Sequence, residues 1–111
     1  HLAGWQIGTH CNGDYAIDMT LRVYERLHRE SPRRDPRFRL EHCTMINDSL
    51  VRRIKALGAI PTPFSTYVYY HGEKMAEYGA ERLNRMFALR SFLDAGVMAT
   101  QASDYPPGPF E

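Results

Sequence analysis

Apolar and polar positions divide the chain into short extended runs, each followed by a stretch with helical spacing. Residues 5 to 10, WQIGTH, form an apolar and small-residue run that ends at His10, and the following CNGD supplies turn chemistry. From Tyr15 to Leu27, Ile17, Leu21, Tyr24 and Leu27 fall on one helical face with Met19 and Val23 beside them; Asp14 is the expected N-cap. SPRRDP stops this helix, because proline denies the helical region to the residue before it. The cycle then returns. Phe38 to Cys43 reads as a strand, Asn47 or Asp48 can cap a helix carrying Leu50, Val51, Ile54 and Leu57, and Gly58 suits the left-handed position that closes it. AIPTP is a third, short strand. Residues 64 to 80 are rich in Tyr and Gly with weak periodicity, which predicts a long loop with one helical turn at most. A third helix is expected from Leu83 to Ala95, burying Met86, Phe87, Leu89, Phe92 and Leu93 and stopping at Gly96. Val97 to Ala102 then reads as a fourth strand, with SDYPPGP as its loop.

Strands alternating with helices indicate an α/β fold with parallel strands, because parallel neighbours need a connection of a dozen or more residues. Two architectures fit: an open doubly wound sheet, or consecutive units of a (β/α)8 barrel, whose full length is typically about 250 residues. At 111 residues the chain is one domain by length, long enough to bury a core. It begins with His, and HLAGWQ reads like one element running into a strand, so a piece of a longer polypeptide is expected.

A net charge of +1, from 14 basic and 13 acidic residues, gives no general attraction to nucleic acid or anionic membrane. The locally basic RESPRRDPRFR, residues 29 to 39, reads as a solvated loop. No stretch approaches the length of a bilayer-spanning apolar helix, and no secretory signal opens the chain. The 2 cysteines lack C-x-x-C spacing, so neither a disulfide framework nor a zinc knuckle is indicated, and a reducing compartment, the cytoplasm, is the expectation.

The candidate chemistry lies where the strands end. His10-Cys11 closes the first and His42-Cys43 the second, 32 positions on, with Asn12 and Asn47 following; Thr62-Pro63 closes the third and Ser103-Asp104 the fourth. In a barrel such carboxyl ends converge on one mouth. Two imidazoles and a carboxylate meeting there describe a divalent cation site suited best to zinc, with iron or manganese also accommodated. Side chains alternate along a strand, so if His10 and His42 face inward, Cys11 and Cys43 face away as packing residues. A structural reading competes at each position: one strand-end histidine is commonly a hydrogen-bonded structural residue, and Ser-Asp before proline is commonly a turn.

THCNGDYAIDMTLRVYE, RFRLEHCTMINDSLVRRIKALGAIPTP and RSFLDAGVMATQASDYP resemble the strand-five to strand-eight segments of the amidohydrolase superfamily, in the branch called amidohydrolase family 3. The resemblance spans almost the whole chain. It implies the C-terminal half of a metal-dependent TIM barrel, with His10 and His42 matching metal-binding histidines and Asp104 matching the aspartate that binds metal and handles the proton. It further implies a hydrolase acting on an amide or other C–N bond of a small molecule. The chain departs from the family in Cys11 and Asn12, where an apolar pair is usual, and in Cys43, where alanine is commoner. The His-x-His of the first barrel strand and the bridging residue of the fourth are absent with their half of the barrel, so a complete site is not expected in these residues alone.

Glu41, expected to point away from His42, should pair with Arg39 or Arg52, and Asp14 either caps its helix or fixes the tautomer of His10. In the 64 to 80 segment Tyr67, Tyr69, Tyr70 and His71 are candidates to contact substrate, with Tyr67, Tyr70 and His71 foremost; the alternative is that these aromatics cover the barrel or meet another subunit. A noncatalytic half-barrel serving as a structural or interaction module is the alternative function, and its two open sheet edges would invite a homo-oligomer. A flavodoxin-like nucleotide binder is disfavoured, because CNGD holds one glycine where a phosphate loop needs several.

Overall fold

The structure, a computed structural model, describes residues 1–106. Three strands, β1 (Gly8–Cys11), β2 (Arg39–His42) and β3 (Ile60–Thr62), form a parallel sheet in the order β1-β2-β3. Helix α1 (Asp14–Glu30) joins the first pair and α2 (Asp48–Leu57) the second. The apolar face read from the sequence is the buried one: Ile17, Leu21 and Tyr24 on α1, and Leu50, Val51 and Ile54 on α2, pack with Cys11, Phe38 and Leu40 from the strand region. Arg53 on α2 reaches across to Asp18 and Glu25 on α1, at 2.5 and 2.8 Å, and ties the two helices together.

The helix ends follow from local chemistry. Asn47 caps α2 by accepting a hydrogen bond from Leu50 N at 3.0 Å. Gly58 closes it at φ 67°, with Gly58 N on Lys55 O and Ala59 N on Ile54 O, the paired bonds of a Schellman motif. At α1 the cap is Gly13, not the expected Asp14; Asp14 is the first helical residue, and its carboxylate accepts from Tyr15 N at 2.8 Å. Its negative charge there still suits the helix dipole.

The second half departs further from expectation. Residues expected as a loop form α3 (Tyr67–Met75) and a 3-10 turn, Ala76–Tyr78. Met75 is the one buried residue of α3, so the helix has no apolar stripe for periodicity to reveal. The single helix expected from Leu83 to Ala95 is instead α4 (Ala80–Leu83) and α5 (Leu89–Asp94). The intervening backbone bonds the segment after β2, with Ile46 N on Arg85 O and Phe87 N on Thr44 O. Those long-range bonds take the place of helical ones. Of the residues expected to be buried there, Phe92 is fully so and Leu93 is exposed.

The expected fourth strand, Val97 to Ala102, runs beside β3 without becoming a strand of the sheet. Thr100 N and Ala102 N donate to Pro61 O and Pro63 O, both at 3.0 Å. Prolines 61 and 63 have no N–H to return, so the ladder is one-sided.

Candidate metal and substrate site

Register decides which side chains meet. His10 pairs with Glu41 and Cys11 with His42, so simple alternation would place His42 on the face of Cys11, away from His10. The chain corrects this at the strand end. His42 and Cys43 adopt left-handed backbone, φ 68° and 45°, and the two imidazole rings come edge to face with centroids 4.5 Å apart. Cys11 and Cys43 are buried in the core, as their packing role required. Burial, with the Glu41 carboxylate as second cause, pushes the Cys11 thiol up to about 11; burial and then Cys11 push Cys43 higher still.

Glu41 forms the expected pair with Arg39, Nε to Oε1 at 2.9 Å and Nη2 to Oε2 at 2.9 Å. It lies on the His10 side of the sheet, under Gly8. Among the described residues no hydrogen bond joins Asp14 to His10; the side chain within hydrogen-bonding distance of His10 is Asn12, whose Nδ2 lies 3.3 Å from His10 Nε2. Sequence reading took Asn12 for a turn residue, and its place two residues beyond His10 was the signal available.

His10, Asn12, His42 and Asp104 line one cavity of about 410 Å³. Its apolar wall includes Met45, Phe64, Tyr67, Met86 and Phe87. The aromatic members touch in sequence: His42 to Phe64 at 6.5 Å, Phe64 to Tyr67 at 5.8 Å, and Tyr67 to Phe87 at 6.0 Å between centroids. Tyr67 is therefore a wall residue. His71 is not; it packs on Tyr67 at 4.6 Å, and Tyr70 packs on exposed Tyr69 at 5.0 Å, away from the lining. Phe64, Met45, Met86 and Phe87 carried no site signal in the sequence, because they read as core or loop. Three lining residues, His42, Phe87 and Asp104, have left-handed backbone, a conformation costly for side chains other than glycine.

Two imidazole donors at adjacent strand ends fit part of a divalent cation site. Asp104 shares the cavity, yet among the described residues no three His, Cys, Asp or Glu side chains gather closely enough to hold an ion. The set of donors is thus partial in this segment.

The amidohydrolase family model, branch 3, matches residues 1–111, and the chain belongs to that family. Among curated relatives it is 32% identical over 109 residues to the N-substituted formamide deformylase of Arthrobacter pascens, covering 96% of this chain and 20% of the relative. It is 27% identical over 106 residues to Protein LONG AFTER FAR-RED 3 of Arabidopsis thaliana, covering 94% and 18%. Two solved structures share the fold, each an uncharacterized metal-dependent hydrolase. The one from Pyrococcus furiosus has a TM-score of 0.78 at 22% identity, covering 96% of this chain and 21% of its own. The one from Pyrococcus horikoshii OT3 has a TM-score of 0.80 at 21% identity, covering 96% and 20%. The chain spans about a fifth of the length of the relatives it matches.

Proposed function

We propose that this segment is the strand-five to strand-eight portion of a TIM-barrel metal-dependent amidohydrolase, supplying two metal ligands, a proton carrier and one wall of the substrate pocket. The observation that carries the reading is the meeting of His10 and His42 across neighbouring strand ends, achieved through left-handed backbone at His42. His10 and His42 would hold a divalent cation, zinc being the first to test, through neutral ring nitrogens, with further ligands supplied from outside these residues. When bound, the cation supplies a Lewis acid that polarises the scissile carbonyl and acidifies water.

The chain's own residues do the rest. Asp104, at the cavity wall, accepts a proton from the attacking water on a carboxylate oxygen and returns it to the leaving amine. Phe64, Tyr67 and Phe87 exclude water and receive an apolar substituent of the amide, while His71 braces Tyr67. The name of the Arthrobacter relative supports an N-substituted formamide as the substrate to try first. Unpaired buried thiols at Cys11 and Cys43 are in keeping with a cytoplasmic setting.

The test uses the full-length protein. His10→Ala and His42→Ala should each lower bound zinc, measured by elemental analysis, and abolish formamide hydrolysis. Asp104→Asn should retain the fold while slowing turnover by about 10²–10⁴-fold, the usual worth of a general acid–base. Wild-type protein that holds no divalent metal and hydrolyses no amide would make the segment a noncatalytic scaffold instead.

A further inference from the structure

The contact between Asn12 and His10 belongs to a longer chain of hydrogen bonds. Thr44, a buried residue beyond β2, donates its hydroxyl to Asn12 Oδ1 at 2.7 Å, and Asn12 Nδ2 faces His10 Nε2 at 3.3 Å. Resting on the hydrolase reading above, we infer that Asn12 is a positioning residue for His10, anchored by Thr44. The elements it links are the two that present the imidazoles: Asn12 follows β1, and Thr44 follows His42 by two residues. Asn12 O accepts from Met45 N at 2.9 Å, so backbone as well as side chain joins the two strand ends.

The chemistry of the three groups suits this role. As the side chains stand, the amide donates to a bare Nε2, which places the imidazole proton on Nδ1. Turned over, the amide would accept from Nε2–H and donate to the Thr44 hydroxyl, which is both donor and acceptor. Asn12 occupies Nε2 in both arrangements, but only the second, with the proton on Nε2, leaves the Nδ1 lone pair free for a cation; the first leaves Nδ1 protonated. A carboxylate in place of Asn12 would accept only, fixing one tautomer; an aliphatic residue would fix neither and free the ring to turn.

Two measurements on the full-length protein test the inference. In metal-free protein, diethyl pyrocarbonate should modify His10, located by peptide mapping, about fivefold faster in Asn12→Leu and in Thr44→Val than in wild type, the factor for one lost neutral hydrogen bond. Thr44→Ser, which keeps the hydroxyl, should restore the wild-type rate. An unchanged rate in Asn12→Leu would overturn the inference whatever the metal does. Zinc affinity by chelator competition should fall about 10- to 100-fold in Asn12→Leu, as for loss of a partner behind a metal ligand. The double variant Asn12→Leu/Thr44→Val should bind no more weakly than Asn12→Leu alone, because Thr44 acts through Asn12. Zinc binding that His10→Ala weakens and Asn12→Leu does not overturns the positioning role alone. Zinc binding that His10→Ala leaves intact overturns the hydrolase reading, and the modification rates then decide the positioning role.

Discussion

Tyr24 pins α1 to both strands that end in the histidines, and removing its hydroxyl should be costly out of proportion to one atom. The hydroxyl lies 2.6 Å from Thr9 Oγ1 and 3.0 Å from Arg39 O. A carbonyl can only accept, so the Tyr24 proton goes to Arg39 O and the Thr9 hydroxyl donates to Tyr24 Oη. Tyr24→Phe keeps the ring stacked on Phe38, at 4.4 Å between centroids, and deletes both hydrogen bonds. Each is worth about 1 kcal/mol net, and Tyr24 is almost wholly buried where water cannot substitute, so the expected loss is about 2 kcal/mol. With a urea slope of about 2 kcal/mol per molar, the unfolding midpoint should fall by about 1 M at unchanged slope. In a Thr9→Val background the same change should cost about 1 kcal/mol less, since one bond is already gone. A midpoint within about 0.2 M of wild type, or full additivity with Thr9→Val, would refute the reasoning.

Other consequences are equally direct. A Cβ on Gly8 would lie 2.7 Å from Glu41 Oε1, so Gly8→Ala should displace Glu41 from Arg39 and gain nothing in wild type, yet stabilise Glu41→Ala by about 0.5–1 kcal/mol in denaturant unfolding. Cys11 and Cys43 should resist alkylation at pH 8 in the folded protein, as peptide mapping would show, and react on unfolding. Because burial raises both thiols in the folded state, their contribution to stability should be constant below about pH 9 and fall as pH rises toward about 11, where unfolded thiols ionise and folded Cys11 still holds its proton; Cys11→Ala should reduce that slope. His42→Gly should unfold at higher denaturant than His42→Ala by about 1 kcal/mol, because both lose the ring and glycine alone escapes the penalty of φ 68°.

What the sequence disclosed was whatever is encoded locally. The turns that end α2 and the strand ends at His10 and His42 are short-range chemistry, and Asn47, Gly58 and the two histidines were legible for that reason. The Arg39–Glu41 pair was legible because residues two apart on a strand share a face. What it hid depends on distant partners. Helix α3 buries little and leaves no periodic trace, and the break at residues 84 to 88 exists because residues 44 to 46 capture the backbone there. The prolines of AIPTP marked a short strand correctly, but their effect on its neighbour, a one-sided ladder with Val97 to Ala102, appears only once the two lie side by side.

The site itself lies on the boundary between these two kinds of information. The matching His-Cys pairs invited the assumption that equal spacing means equal facing, whereas the register offsets the strands by one residue and sets His10 against Glu41. Left-handed backbone at His42 undoes the offset, at a cost of about 1–2 kcal/mol for a side chain that is not glycine. Glycine at that position would remove the cost and with it the imidazole. Positive φ recurs at Phe87 and Asp104, both on the cavity wall, and at Arg37 and Cys43 away from it, so among the described residues three of the five such non-glycine side chains share one cavity. A fold optimised for stability alone has no reason to concentrate such residues there. The proposed hydrolase site, which needs an imidazole, an aromatic wall and a carboxylate facing the same space, does, and on that reading the strain follows from bringing them to bear on it.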